Sequence, residues 1–295
     1  MLNKRSLCIS LLLTLLAACV TTPVSDKSAF ILVPFGQEVS LGKQSYQDIL
    51  KDSSESKDTH LNEVIQRMGK RIAAVSAMPN LEWEFRLIES EDKNAFALPG
   101  GKVAVYTGIL PAAQNEAGLA TVMSHEIAHV IARHGAQRMT QQLLVTVGMT
   151  AAGLSMTNDR DKQLIMGALG LGVMVGVTLP FSRSNEAEAD QIGLVYMAKA
   201  GYDPNEAIKF WQRFSEDKGN TKTLELMSTH PADATRIQKL RQYLPRALSE
   251  YKRAKEKYGL GESFESTPKD QKEQEGTPAP PKAIPGVSVE TLTGS

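Results

Sequence analysis

The sequence predicts a mainly α fold with a small β-sheet or hairpin, an α+β architecture, on three observations. Apolar side chains recur at every third or fourth position over residues 61–75, the spacing of an amphipathic helix. Two β-rich runs flank the turn signal Pro99-Gly100-Gly101, which predicts a hairpin. The pattern from there to about Tyr258 is helical again.

The composition limits both the class of protein and its chemistry. The chain has 295 residues, with 33 Lys and Arg against 33 Asp and Glu, so it lacks the basic excess expected of a nucleic-acid partner. A hydrophobic content of 42% is enough for a packed core. Two cysteines exclude a disulfide framework and a multi-cysteine metal site. The chemistry must therefore come from His, Asp, Glu and hydroxyl groups.

The N-terminus has the layout of a secretion signal. Residues 1–18 begin with a positive region, continue as an apolar run and end in small residues, which predicts a signal peptide. Leu16-Ala17-Ala18-Cys19 resembles the bacterial lipobox, which implies cleavage before Cys19 and lipidation of its thiol. The alternative is an ordinary signal with Cys19 incidental. Val20 favours the outer membrane by analogy with enteric lipoproteins, so we expect a periplasmic, lipid-anchored protein.

Three regions are predicted in the mature chain. Residues 19–35 are polar enough to form a tether, and residues 36–260 form one domain that begins with a helix at Gly36. A strand is predicted over residues 83–88 of this domain. Residues 261–295 are rich in Pro, Lys and Glu with few large apolar residues, which predicts a disordered tail.

Two stretches of the domain, 143–157 and 164–179, are apolar and rich in Gly and Met. Each is shorter than the roughly 20 residues that a helix needs to cross a bilayer. They predict a helical hairpin that is either buried in the core or mobile, lying over a site or against lipid.

The motif His125-Glu126-Ile127-Ala128-His129 carries the strongest chemical signal. On a helix the two histidines lie about 40° apart and one turn above each other, so their imidazoles can converge on one metal ion. Glu126 lies about 60° from His129, beside the metal without being aimed at it. The alternative, two surface histidines on an amphipathic helix, requires a chance match to the motif.

Catalytic zinc sites have three protein ligands and a water. The best third ligand lies 57 residues after His129, where Glu186 and Asp190 share a helix face, about 40° apart. We predict that Glu186 binds zinc and that Asp190 accepts a hydrogen bond from a ligand histidine. The alternative is that this acidic run is a solvated helix face. His134 is expected about 180° round the helix from His125, either solvated or in contact with a metal ligand without binding the metal itself.

Together these residues resemble the M48 metallopeptidases, which include CAAX-prenyl-endoprotease and HtpX-like peptidases, and most of all their secreted bacterial lipoprotein branch. The resemblance covers about residues 35–245. It also includes Asn94-Ala95-Phe96-Ala97 with Pro99-Gly100-Gly101, and Ser228-Thr229-His230-Pro231 with Arg236-Ile237. It implies a zincin-like metallopeptidase domain with the HExxH motif on a helix.

The predicted site holds one Zn²⁺ per chain on His125, His129 and Glu186. Glu126 is the expected general base and acid in peptide hydrolysis. His230 is a second catalytic candidate, because it could stabilise the oxyanion; it could also be a fourth zinc ligand that holds the site latent. A third possibility is a polar residue at a helix start before Pro231.

The implied function is a zinc-dependent endopeptidase of the bacterial cell envelope acting on unfolded, misfolded or misassembled envelope proteins. The strand over residues 103–106, or that over 95–98, could pair with an extended substrate. The alternative is a chaperone-like zinc lipoprotein that binds clients and cleaves rarely. A deformylase-like hydrolase would need an upstream Cys ligand, and only Cys19 remains after processing. The sequence predicts a membrane contact through the Cys19 lipid and leaves the oligomeric state open.

Overall fold

A computed structural model describes residues 19–153, 181–216, 230 and 234–260, and this part is mainly helical with two small sheets, as predicted. The strands are β1 (Cys19–Thr21), β2 (Ser28–Phe30), β3 (Glu84–Ile88), β4 (Ala95–Leu98) and β5 (Lys102–Tyr106). The α-helices are α1 (Phe35–Lys51), α2 (Thr59–Ala74), α3 (Leu110–Ala113), α4 (Glu116–Ile131), α5 (His134–Gly153), α6 (Arg183–Lys199), α7 (Asn205–Glu216) and α8 (Ala234–Arg253).

The larger sheet contains the predicted hairpin. Strands β4 and β5 pair antiparallel around the predicted turn, where Gly100 and Gly101 have φ values of 87° and 81°. Residues other than Gly rarely adopt such a left-handed backbone conformation. Strand β3 pairs parallel with β5 on its other side, so the sheet order is β3-β5-β4. Strand β5 is therefore central, and β4 has one sheet neighbour within the described chain.

The structure departs from the predicted tether over residues 19–35. Strands β1 and β2 form an antiparallel hairpin in register Cys19 to Phe30, and the following Ile31 and Val33 are buried in the domain. In Ser28–Phe30 only the middle side chain is buried and the other two are exposed. A short hairpin of this kind buries few apolar side chains, so its composition resembles that of a polar tether. The folded domain therefore includes residues 19–35.

Helix α4 is the centre of the domain. Asn115 caps its N-terminus by accepting a hydrogen bond from the Gly118 backbone N–H at 2.9 Å, and every residue from Ala117 to Ile131 is buried. Helix α4 packs most extensively against α6, and Gly193 of α6 permits this close approach. A Cβ at Gly193 would lie 3.0 Å from the backbone nitrogen of His125. The two helices are thereby held together at the level of the HExxH motif.

No helix among the residues that the structure describes is long and apolar enough to span a membrane. The first part of the predicted apolar hairpin lies in α5. The remainder of that hairpin, the predicted signal peptide at residues 1–18 and the predicted tail at residues 261–295 lie outside the described residues.

Candidate metal centre

Three segments bring the predicted site residues together. Helix α4 supplies His125, Glu126 and His129. Helix α6 supplies Glu186 from its first turn, which begins where the Ser182 hydroxyl accepts the Asn185 backbone N–H at 3.1 Å. His230 approaches from the segment before α8.

The donor atoms of this cluster converge on one point. The Nε2 atoms of His125 and His129 are 3.0 Å apart, and the Glu186 carboxylate oxygens lie 3.3 Å from the first and 3.4 Å from the second. His230 Nδ1 lies 3.0 Å from Glu186 Oε1 and 3.2 Å from His125 Nε2. One donor atom from each of the four residues lies within 4.8 Å of the others, and all four side chains are buried.

This donor set fits a divalent transition-metal ion. Metal–nitrogen bonds of about 2.0–2.1 Å give a tetrahedron with edges of about 3.3–3.4 Å, close to the spacings found here. Imidazole nitrogens and one carboxylate suit zinc and similar ions, whereas calcium and magnesium prefer oxygen ligands. Two Nε2 atoms facing each other at 3.0 Å are also an arrangement that a shared cation stabilises.

The charges in the cluster are set by burial and by contacts among its members. Burial opposes ionisation of Glu186, but the imidazoles of His230 and His125 lower its pKa well below the ordinary value. Burial likewise disfavours a charged His129 and lowers its pKa well below 6.5. Burial also opposes the charge on His125, but hydrogen bonds to Asp190 and Glu186 raise its pKa to about 9. The cluster thus pairs an ionised carboxylate with buried imidazoles.

Asp190 contacts His125 from the side away from the cluster. Its Oδ1 is 2.9 Å from His125 Nδ1, the nitrogen opposite the one that faces the cluster. Arg236 Nη2 donates to the same oxygen at 2.7 Å, and its guanidinium lies 3.4 Å from the centre of the Trp211 ring. The contact between Asp190 and His125 Nδ1 fixes the orientation of the His125 ring, as carboxylates commonly do for metal-ligating histidines.

Glu126 is buried beside the cluster without joining it. Its Oε1 lies 3.4 Å from His230 Nε2 and has no hydrogen-bond partner among the described residues. Burial raises the pKa of its carboxyl above the ordinary value, although the charges of His230 and His125 oppose the rise. A carboxylate with a raised pKa and an unpaired oxygen next to a metal site is suited to proton transfer.

His134 does not occupy the position expected from an unbroken helix. Helix α4 ends at Ile131, and Arg133 takes a left-handed φ of 54°, so His134 starts a new helix. Its Nδ1 lies 2.9 Å from His129 Nδ1, and it is fully buried. It lies outside the donor set, as expected, but it is not solvated. A non-glycine residue with positive φ has no clear sequence signal, so this break in the helix was not predicted.

The acidic run on α6 is buried, which rules out the alternative of a solvated face. Glu188 points away from Glu186, as predicted, but only 4% of it is exposed. Its Oε1 accepts hydrogen bonds from the hydroxyls of Thr22 and Ser25, and its Oε2 lies 3.5 Å from His134 Nε2. Cys19, the predicted lipidation site, is an exposed free cysteine at the start of β1.

Comparison with known proteins gives consistent matches. Residues 59–244 match the family described as peptidase family M48. The chain is 38% identical over 231 residues to the mitochondrial metalloendopeptidase OMA1 of Schizosaccharomyces pombe, covering 76% of this chain and 66% of that protein.

Two bacterial relatives are similar at a lower level. The putative beta-barrel assembly-enhancing protease of Vibrio cholerae is 30% identical over 269 residues, covering 80% of this chain and 54% of that protein. The beta-barrel assembly-enhancing protease of Escherichia coli is 30% identical over 225 residues, covering 74% of this chain and 46% of that protein. The chain therefore spans about half the length of these two relatives.

Proposed function

This chain belongs to peptidase family M48 and is a metalloendopeptidase, and from this we propose its metal and its substrates. The metal is zinc. The substrates are unfolded, misfolded or misassembled proteins of the bacterial cell envelope. The observation that carries the chemistry is the convergence of His125, His129 and Glu186 next to Glu126, whose Oε1 has no hydrogen-bond partner among the described residues. The bacterial relatives, whose names refer to beta-barrel assembly, support the envelope as the place of action.

Zinc is the proposed metal, one ion per chain, held by His125, His129 and Glu186. Two imidazoles and one carboxylate are a common ligand set for catalytic zinc. When bound, zinc supplies an activated water at neutral pH and polarises the scissile carbonyl. The buried walls of the site exclude bulk water, which strengthens every charge interaction inside it.

Glu126 is the proposed proton carrier. Its Oε1 has no hydrogen-bond partner among the described residues, so it is available to accept a proton from the attacking water. The same carboxyl then delivers the proton to the leaving amine. Because burial raises its pKa, the protonated form is less costly to reach than for a solvated glutamate.

His230 can act in two ways, and the structure favours a position inside the donor set. Its Nδ1 lies 3.0 Å from Glu186 and 3.2 Å from His125, distances that suit a fourth ligand. Its Nε2 lies 3.4 Å from Glu126, near the group that would receive the proton. A fourth ligand would hold the site latent and supports the second candidate function, a chaperone-like zinc protein that rarely cleaves its clients.

Strand β4 is the proposed binding edge for an extended substrate. Of the two strands considered from the sequence, β5 is paired on both sides, which leaves β4. Ala97 of β4 and His129 line the same small cavity, so a peptide added along β4 would pass close to the metal centre. Backbone pairing selects extended chains with little regard to side chains, which supports unfolded proteins as substrates.

The proposed location is the periplasm, with a lipid anchor at Cys19 in the outer membrane after removal of residues 1–18. The exposed position of Cys19 at the start of β1 supports this, because the thiol is accessible for acylation. Residues 261–295 are proposed to be a disordered tail, and the balanced charge supports the absence of a nucleic-acid partner.

The experiment that tests hydrolysis compares casein cleavage by the mature chain with that by Glu126→Gln. We expect the variant to bind zinc as the wild type does and to lose cleavage by about 10²-fold or more. Glu116→Gln is the matched control, because Glu116 lies on the same helix and pairs with Arg67 away from the site. Cleavage by Glu126→Gln at the wild-type rate would overturn the mechanism.

A growth assay separates the two candidate functions. If a strain lacking the protein is rescued fully by Glu126→Gln, hydrolysis is not what the cell requires, and the chaperone-like function is correct. If rescue fails while zinc content and folding are unchanged, the peptidase function is supported.

A further inference from the structure

We propose that His134 and Glu188 position the metal ligand His129, and that the N-terminal hairpin, through Thr22 and Ser25, holds Glu188 in place. The affinity of the metal centre would then depend on whether the β1–β2 hairpin is docked. This inference rests on the proposed metal site and assigns positioning roles to residues outside the donor set.

His129 has one ring nitrogen toward the metal centre and the other toward His134. Its Nε2 faces the cluster, 3.0 Å from His125 Nε2, while its Nδ1 lies 2.9 Å from His134 Nδ1. A neutral imidazole that offers its Nε2 lone pair to a metal carries its proton on Nδ1. His129 must therefore donate this proton, and His134 Nδ1 is the acceptor.

His134 in turn needs an acceptor for the proton on its other ring nitrogen. If its Nδ1 accepts, its own proton lies on Nε2, which needs an acceptor because the ring is fully buried. This nitrogen has no hydrogen-bond partner among the described residues, and Glu188 Oε2 is a carboxylate oxygen 3.5 Å from it. A neutral imidazole accepts at one nitrogen and donates at the other, so His134 can link the orientation of His129 to the position of Glu188.

The hairpin fixes the far end of this chain of contacts. The turn between β1 and β2 directs the hydroxyls of Thr22 and Ser25 onto Glu188 Oε1, and Lys27 Nζ lies 3.6 Å from Oε2. These three contacts hold the Glu188 carboxylate in one orientation.

The two ligand histidines are supported in different ways. His125 has a direct carboxylate partner, Asp190, at 2.9 Å. His129 reaches its carboxylate through a second imidazole, and that carboxylate is anchored by a hairpin distant in sequence. Because β1 begins at Cys19, the contacts of His129 run from the metal centre to the segment that would follow the lipid anchor.

The test measures zinc affinity by competition with a chromogenic chelator, a readout that does not require activity. We expect Glu188→Gln and the double variant Thr22→Val with Ser25→Ala to bind zinc about 10-fold more weakly than the wild type. Thr22→Ser keeps a hydroxyl and should retain wild-type affinity. The double variant leaves the Glu188 carboxylate in place and removes only the two hydroxyls that bond it, so it keeps the test informative if Glu188→Gln fails to fold.

The control is Glu206→Gln, which removes a buried carboxylate that bonds Arg213 on α7. It should lower stability without changing the zinc affinity of the folded protein. If the hairpin variants and Glu188→Gln bind zinc as tightly as the wild type, this inference is wrong while the proposed function stands. If the wild type itself binds no zinc, the proposed function and this inference both fail.

Discussion

Replacing Gly193 by Ala tests how closely the two central helices must approach. The added Cβ would lie 3.0 Å from three backbone atoms of α4, the nitrogen of His125 and the carbonyl carbon and oxygen of Ser124. Because all three are backbone atoms, no side chain can move aside. Ordinary carbon contacts are about 3.5–4.0 Å, so α4 and α6 must separate by about 0.5 Å.

Two opposing effects decide the stability of Gly193→Ala. Overpacking a core costs about 1–3 kcal/mol. Replacing Gly by Ala inside a helix contributes about 1 kcal/mol in the favourable direction. The expected result is a loss of 0 to about 2 kcal/mol in the free energy of unfolding, measured by urea denaturation.

The effect on the site should be larger than the effect on stability. Glu186 lies two turns before Gly193 on α6, so a shift of α6 moves its carboxylate relative to His125. A misplacement of about 1 Å can cost about 10²-fold in rate, so a shift of about 0.5 Å should cost about 10-fold in casein cleavage.

Gly36→Ala is the matched control for Gly193→Ala. No atom lies within 4 Å of a Cβ at Gly36, which is exposed near the start of α1. This control should gain up to about 1 kcal/mol in stability and keep full activity. If Gly193→Ala is as stable and as active as Gly36→Ala, the close approach of α4 and α6 does not set the geometry of the site.

Three other results are expected. Asp190→Asn should lower the free energy of unfolding in urea by about 3 kcal/mol, because it breaks a buried ion pair with Arg236, and unchanged stability would contradict this pairing. Glu188 has a folded-state pKa of about 2 against an ordinary 4.5, so its ionised form stabilises the fold above pH 4.5. The stability advantage of wild type over Glu188→Gln, followed by circular dichroism, should therefore shrink as the pH falls from 4.5 towards 2; a difference independent of pH would refute it. Removal of metal with a chelator should abolish casein cleavage, and added zinc should restore it; activity that persists in excess chelator would argue against a metallopeptidase.

Much of the candidate site follows from helix geometry alone. The i, i+4 spacing of His125 and His129, and of Glu186 and Asp190, places each pair on one face of a helix, and the structure brings both pairs to one centre. All four residues lie within unbroken helices. Local periodicity is enough for such positions.

Contacts that depend on a break in regular structure could not be predicted in this way. Extending α4 by helical geometry places His134 on the wrong side, because α4 ends at Ile131 and a new helix starts at His134 after the positive φ of Arg133. Arg133 holds this turn through hydrogen bonds to Glu38 and the Val33 carbonyl, residues about a hundred positions away. Long-range contacts of this kind leave no local pattern in a sequence.

The N-terminal hairpin was missed for a related reason. Its polar residues are those that a tether would contain, but Thr22 and Ser25 bond a buried carboxylate of α6 instead of water. The amino-acid composition of a segment indicates whether most of its residues are solvated. It does not show that one or two polar side chains bond a buried group, and the fold of this segment depends on such contacts. The parallel pairing of β3 with β5 also joins segments that only the tertiary structure brings together.

The zinc content of the purified mature chain, measured by mass spectrometry of the metal, tests the proposed centre most directly. We expect about one zinc per chain in the wild type and in Glu126→Gln, and a large loss in His129→Ala and Glu186→Gln. Full zinc occupancy in His129→Ala and Glu186→Gln would contradict a metal held by these side chains.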